Sequence, residues 1–216
     1  QVAGSIENTE KPTAESSLEY MAGFFVRYIE ERAANPGADL LSELATATYP
    51  DGSKPDLAEL VSLSAFMFAA GQDTSAKLVG NALRYIVDMP GLQQQLREDR
   101  ELVPWLIEEV LRLEGSTKAT HRVACRDTRI GDVKIPAGKR IIVALAAGNR
   151  DPREWGDDAG EFVLKRPKIR EHISFGRGVH TCAGAPLARA EVRTLLNSFL
   201  EHTAEIGISE AMHGKP

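Results

Sequence analysis

The stretch SFGRGVHTCAGAPLARAE, residues Ser174 to Glu191, holds one of the two cysteines in the chain. Gly176, Gly178 and Gly184 surround that cysteine, Cys182. Glycine tolerates positive φ and lets backbone pass close to a bulky group, because it has no Cβ to clash. A helical pattern follows, with Pro186 suited to its first turn. A helix beginning there points its N-terminal amides and the positive end of its dipole towards the sulfur. These are the surroundings of a cysteine presented from a tight loop as a metal ligand or a nucleophile. A buried, inert cysteine beside a turn is the competing interpretation of so short a string.

Outward from this loop, composition narrows the choice. The chain has 216 residues, 43% hydrophobic and 26% charged, with a net charge of −5. That suffices for one ordinary domain with a sizeable core. The mild acidity argues against nucleic acid or an anionic membrane as the main partner. Cys125 and Cys182 are too few for a disulfide framework, which points to a reducing, cytoplasmic setting. The longest apolar run, around Leu63 to Ala70, is far short of a membrane span, and no signal peptide is visible. The first residue is Gln1 rather than Met, which suggests that the natural start is missing.

The periodicities predict a mainly α chain with a small β part. Residues 1–14 are polar and turn-rich, a loop. From Glu15 to about Asn35, Leu18, Met21, Ala22, Phe25, Tyr28 and Ile29 recur at helical spacing until Pro36-Gly37 stops them. Ala38 to Thr48 reads as a short helix. Asp56, with Glu59 three residues on, resembles a capping box and opens a helix running to about Asp88. At ~1.5 Å per residue that helix is roughly 50 Å long. Its middle, Leu60 to Ala70, is apolar nearly all round and is expected to be buried on most sides. Pro90 to Arg97 and Glu101 to Leu113 give two more helices, the second with Leu102, Trp105, Leu106 and Val110 on its apolar side. Arg122 to Asp151 alternates and turns, as short strands of one small sheet do. Residues 149–172 are irregular, and Pro186 to Thr203 forms a last helix.

Polar groups interrupt the long helix at Ala70-Gly71-Gln72-Asp73-Thr74. Gly71 costs about 1 kcal/mol against alanine at a helix interior. Thr74 can bond the carbonyl four residues back and open the helix locally, so these residues alone describe either a kink or a groove beside a ligand. Glu109 and Arg112 share a helix face at i,i+3, where the ordinary interpretation is a solvated ion pair. Taken singly, Arg122 is a surface cation, His180 a loop histidine and Cys125 a core thiol.

Taken together the motifs are specific. Phe175-x-x-Gly178-x-His180-x-Cys182-x-Gly184 resembles the cysteine-ligand loop of the cytochrome P450 superfamily, the haem-thiolate monooxygenases. Ala70-Gly71-x-Asp73-Thr74 resembles the oxygen-activation motif on that superfamily's long central helix, and Glu109-x-x-Arg112 its E-x-x-R pair, in the same order along the chain. The resemblance implies haem b with the Cys182 thiolate as axial iron ligand, and Phe175, Gly176, Ala70 and Gly71 close to the haem. It implies propionate contacts from Arg122 and His180, and proton delivery by Asp73 and Thr74. Glu109 and Arg112 take a structural role, tying their helix to the cysteine loop. The superfamily's usual third partner of that pair is often Arg; here Glu161 stands near its place, so the triad reads as incomplete or differently filled. The reaction implied is insertion of one O₂ oxygen into a small apolar organic substrate, with electrons from a ferredoxin-type partner. Lys165, Arg166, Lys168, Arg170 and Arg177 describe either a solvated basic loop or a surface to dock an acidic ferredoxin. Ser116, Thr117 and Lys118, where the superfamily lines its pocket, suggest a polar or carboxylate-bearing substrate.

By the same resemblance residues 1–216 are the C-terminal part of a single cytochrome P450 domain, an incomplete fold whose N-terminal half and last strands are missing. Two other classes stay open: a non-catalytic helical fragment that binds no haem, and a cysteine phosphatase. Against the last, His180 stands two residues before Cys182 rather than one, and Arg189 seven after rather than six.

Overall fold

The structure, a computed structural model, describes residues 14–209, with side chains from residue 19. The loop expected before residue 14 and the side chain of Leu18 lie outside the described residues. The chain divides into two compact units, Gln1–Ala70 and Gly71–Pro216.

The first unit holds α1 (Ala14–Ala34), α2 (Leu40–Ala45) and the start of α3 (Leu57–Asp88). Ile29 is buried on α1, while Tyr20, Phe24 and Tyr28 form an exposed row at i,i+4 spacing. Asp39 caps α2 by accepting the Ser42 N–H at 2.9 Å. The capping box at α3 is reciprocal: Asp56 Oδ1 accepts the Glu59 N–H at 2.8 Å and Glu59 Oε2 accepts the Asp56 N–H at 3.1 Å. The expected burial of Leu60 to Ala70 on most sides does not hold. Leu60 and Ser64 are buried, but Leu63, Phe66, Met67 and Phe68 are exposed, Phe66 by 69%. A helix covered along one stripe buries only the i,i+4 residues of that stripe, however apolar its other faces are.

The second unit is built around α5 (Val103–Glu114), which follows α4 (Leu92–Glu98) and a 3-10 turn at Arg100–Leu102. Val103, Leu106, Ile107, Val110 and Leu111 of α5 pack with Leu78, Ala82 and Ile86 of α3, Leu92 and Leu96 of α4, and Val192, Leu196 and Leu200 of α8 (Ala185–His202). Every residue from Leu106 to Leu113 is buried, so this helix, rather than the middle of α3, is the one enclosed all round. Trp105, expected on its apolar side, is 39% exposed. Each fully buried aliphatic side chain contributes about 1.5–3 kcal/mol, and three helices meeting α5 make it the anchor of the unit.

The β part is two nested antiparallel ladders rather than one sheet. β1 (Thr120–Val123) pairs with β4 (Arg140–Val143), Thr120 opposite Val143. Between them β2 (Thr128–Ile130) pairs with β3 (Val133–Ile135) across a tight turn where Gly131 has φ +57°. Asp127 Oδ1 accepts the Ala137 N–H at 2.8 Å, a side-chain link where a continuous sheet would have strand pairing. Cys125, expected in the core, is exposed in this region. Two short helices follow, α6 (Leu145–Gly148) and α7 (Pro152–Trp155), and α7 and a 3-10 turn at Ile169–Glu171 interrupt the stretch 149–172 expected to be irregular.

Candidate functional site

The chemistry gathers where α5, the irregular stretch and the start of α8 meet. Glu109 and Arg112 are fully buried and joined twice, Arg112 Nη2 to Glu109 Oε1 at 2.8 Å and Nε to Oε2 at 2.9 Å. A second guanidinium completes the group: Arg166 Nε donates to Glu109 Oε1 at 2.9 Å, and the Val163 N–H donates to the same oxygen at 2.9 Å. Of the two expectations, a triad incomplete or differently filled, neither holds for Glu161: the third place is taken by Arg166. The Glu161 side chain is exposed, and only its carbonyl takes part, accepting from both Arg112 Nη2 and Arg166 Nη2 at 2.9 Å. Burial pushes the Glu109 carboxyl up, but its bonds from Arg112, Val163 and Arg166 outweigh that and hold it below the ordinary carboxylate range.

Arg166 is buried because the backbone turns it inward. Lys165 and Lys168 on either side both lie in the left-handed region, at φ 66° and 56°. Arg166 therefore leaves the cationic surface group assigned from sequence, whereas Lys165, Lys168, Arg170 and Arg177 stay exposed. The guanidiniums also serve backbone that has no ladder of its own. Arg112 donates to the carbonyls of Asn149, Ala159 and Glu161, and Arg166 to those of Trp155, Asp158 and Glu161.

Asn149, 2% exposed, carries the connection on to the cysteine loop. Its Oδ1 accepts the Ile173 N–H at 2.8 Å, and its Nδ2 donates to Ser174 Oγ at 2.7 Å. Ser174 Oγ in turn donates to the Leu111 carbonyl at 2.5 Å. Beside it a second ion group occupies the other face of α5. Arg189 of α8 grips Glu108 with Nε at 2.6 Å and Nη2 at 3.0 Å. His172 Nε2 lies 2.9 Å from Glu108 Oε2, and its Nδ1 accepts the Ser174 N–H, so the donor nitrogen is the one facing Glu108. Burial raises Glu108, but the bonds from His172 and Arg189 and the Arg189 charge lower it further, to about 2.

The loop that follows turns through Gly176 and Gly178, at φ 72° and 84°. These are positions where a side chain would be strained. The Cys182 N–H donates to the Phe175 carbonyl at 2.9 Å and the Ala185 N–H to the Cys182 carbonyl at 3.3 Å, so the cysteine sits on the threshold of α8. Its side chain is exposed, as are those of His180 and Arg122, the latter donating to Thr120 Oγ1 and the His121 carbonyl on its own strand.

On α3, Gly71, Asp73 and Thr74 are exposed, and the helix continues through them without a break. Thr74 Oγ1 lies 3.5 Å from the Gly71 carbonyl, and Asp73 pairs with Lys77 at 2.5 Å. Two contacts bring this segment towards the rest of the unit: Ser75 Oγ donates to Glu191 Oε2 of α8 at 3.1 Å, and Ser116 Oγ to the Thr74 carbonyl at 2.7 Å. Ala70 is the last residue of the first unit. Ser116 and Lys118 are thus engaged by their own chain, Lys118 with Glu114 at 2.6 Å, while both Thr117 and Lys118 are exposed. The residues that sequence reasoning passed over are Arg166, His172 and Arg189. The adjacent carboxylates Glu108 and Glu109 on an otherwise apolar helix signal them, because one Arg112 cannot serve two buried acids pointing about 100° apart.

A sequence model described as Cytochrome P450 matches residues 11–203. Cytochrome P450 144 of Mycobacterium tuberculosis is 36% identical over 203 residues, covering 94% of this chain and 46% of the relative. The cytochrome P450 monooxygenase PikC of Streptomyces venezuelae is 32% identical, covering 90% and 47%. Among solved structures, substrate-free cytochrome P450 CYP150A6 of Mycobacterium marinum superposes with a TM-score of 0.85 at 46% identity, over 92% of this chain and 48% of that one. CYP109E1 of Bacillus megaterium in complex with testosterone gives 0.81 at 30% identity, over 87% and 51%. The chain spans about half the length of the relatives it matches. With matches along nearly its whole extent and an incomplete form of their mainly helical fold, the chain belongs to the cytochrome P450 family.

Proposed function

We propose that the protein is a haem-thiolate monooxygenase in which Cys182 supplies the axial sulfur to a haem b. The observation that carries this is the setting of Cys182: an exposed sulfur on the threshold of α8, its amide held by the Phe175 carbonyl, after a turn through two positive-φ glycines. The donor set fits the group. Among the described residues no three His, Cys, Asp or Glu side chains gather as a ligand set, so an iron at Cys182 would take its remaining ligands from a macrocycle. Exposed Arg122 and His180 are suited to two carboxylates by charge-assisted bonding. A Cβ on Gly71 would meet nothing within 4 Å, leaving that face of α3 open to a flat ligand.

The chemistry that the haem supplies when bound is O₂ activation, with thiolate donation favouring O–O cleavage. The chain's own residues hold and feed it. Thr74 presents a hydroxyl on the exposed side of α3, and Asp73 next to it, exposed and paired with Lys77, would relay protons between solvent and the site. Glu109, Arg112 and Arg166 fix the approach to the loop and touch no reactant. The substrate class is a small apolar organic molecule. Lys165, Lys168, Arg170 and Arg177 are the cations open to an acidic ferredoxin-type donor. Arg177 borders a groove of about 760 Å³ together with Lys168, but Asp151 and Glu154 line it too, so the attraction is local to its cationic rim. Among the described residues no helix is long and apolar enough to cross a membrane.

A second reading, a chain that does not retain haem by itself, is favoured by the exposure of Asp73, Thr74, Arg122, His180 and Cys182 alike. The absorbance spectrum of the hemin-reconstituted, reduced, CO-bound chain separates the two. A red-shifted Soret band that disappears in Cys182→Ala supports the monooxygenase, and its absence in the parent supports the second reading.

A further inference from the structure

We propose that Arg189 is a positioning residue for the cysteine loop, acting through Phe175. Three contacts form a chain from α5 to the sulfur-bearing residue. Glu108 on α5 holds the Arg189 guanidinium by two bonds, at 2.6 and 3.0 Å. The guanidinium carbon stands 4.7 Å from the centre of the Phe175 ring. The Phe175 carbonyl accepts the Cys182 N–H at 2.9 Å. The Phe175 ring also has His172 6.0 Å away between centroids, and His172 is bound to the same carboxylate. Phe175 thus has beside it a cation and an imidazole that share one anchor, Glu108, which is 4% exposed.

The arrangement differs from an ordinary ion pair in what it fixes. A guanidinium gripped at two nitrogens keeps its plane, which lets it present a stable face to the ring. Attraction between that face and the ring grows as water is excluded, and here it is excluded in part, with the Arg189 side chain 32% exposed and Glu108 buried. Phe175 sits seven residues before Cys182, across the turn at Gly176 and Gly178, which has few side chains of its own to stiffen it. The bond between the Phe175 carbonyl and the Cys182 amide closes that turn, so whatever steadies Phe175 steadies the backbone dipoles around the sulfur. Those dipoles are among the factors that set the potential of a thiolate-ligated iron. The electronic part of this inference rests on the haem-thiolate reading, and the mechanical part does not.

The test uses the whole chain with Arg189→Met, which keeps the stem and removes the cation, and Glu108→Gln, which loosens the grip without touching Phe175. Arg193→Met, an exposed arginine one turn on in α8, is the control. Amide hydrogen exchange is followed at Cys182 and at Val192 and Leu196 in the core of α8. Both variants are expected to speed exchange at Cys182 about three- to tenfold, the range a partly desolvated cation–ring contact supports, with the α8 core unchanged. An unchanged Cys182 amide, or equal acceleration at all three amides, overturns the proposal. In hemin-loaded protein, Arg189→Met is expected to shift the midpoint potential and Arg193→Met to leave it in place. A potential unmoved by Arg189→Met overturns the electronic part. Failure of the parent chain to take up haem refutes the monooxygenase reading instead, while the exchange data still decide whether Arg189 positions the loop.

Discussion

Replacing Glu109 by Gln changes one atom and one charge, and the structure makes the cost large. The carboxylate accepts four bonds, from Arg112 Nε and Nη2, the Val163 N–H and Arg166 Nε, all between 2.8 and 2.9 Å. Its side chain and that of Arg112 have no exposed surface, and Arg166 has 5%. Without the carboxylate, the Arg112 charge remains enclosed with no anion, Arg166 keeps only the half-exposed Asp158 at 2.8 Å, and an amide nitrogen now faces donors. Removing one partner from a buried pair costs about 3–5 kcal/mol, most of it the burden of the charge left behind. Against a total stability on the order of 5–15 kcal/mol this is a large fraction. Glu114→Gln, on the same helix, is the comparison. Glu114 binds Lys118 and Arg150 with its side chain 35% exposed, so water takes over when the charge goes and the loss is about 1 kcal/mol or less. Urea unfolding followed by far-UV circular dichroism measures both. A loss below about 1 kcal/mol at Glu109, or equal losses at the two positions, refutes the assignment of Glu109 as the buried counter-ion of two arginines.

Three further outcomes are expected. Glu108, held at about 2 against an ordinary 4.5, contributes up to about 3 kcal/mol that is fully present above 4.5 and is lost as pH falls from there towards 2; urea midpoints measured from about pH 6 to about pH 3 should fall less steeply in Glu108→Gln than in the parent. Lys168→Gly should raise the urea midpoint, because relief of a left-handed backbone at φ 56° outweighs the extra freedom of glycine by about 0.5–1 kcal/mol; a lowered midpoint counts against strain at that turn. Gly115→Ala should destabilise by about 1–3 kcal/mol, since a Cβ there would lie 2.7 Å from the Leu111 carbonyl and 2.9 Å from Ser174 Oγ, both in the bridge from α5 to the cysteine loop; equal stability of the variant would show that the bridge can shift.

Elements whose pattern is local were legible in the sequence. The capping box at Asp56 and Glu59 fixed the start of α3, and Gly131 with Asp132 marked the turn between β2 and β3. The loop around Cys182 was legible because its glycines constrain the backbone directly. What depended on distant partners was not. Lys165-Arg166-Pro167-Lys168 looks like a solvated basic run, and nothing in its composition says that the second residue turns inward to meet a carboxylate 57 positions away. Phe66 and Met67 look like core from their apolarity, yet burial is decided by what packs against a face, which periodicity within one helix does not contain. Arg189 was noticed only for its spacing from Cys182. Its bond to Glu108 joins residues 81 apart.

Between Asn149 and Glu161, the carbonyls of Asn149, Trp155, Asp158, Ala159 and Glu161 are tied to the ends of two side chains instead of to a neighbouring strand. A strand can peel away one rung at a time. Here a single guanidinium swinging out would release two carbonyls at once and leave the shared Glu161 carbonyl to the other, so the first step is not cheap. Fraying is thereby forbidden over a stretch that by its composition ought to breathe, and the cysteine that follows it inherits a fixed floor.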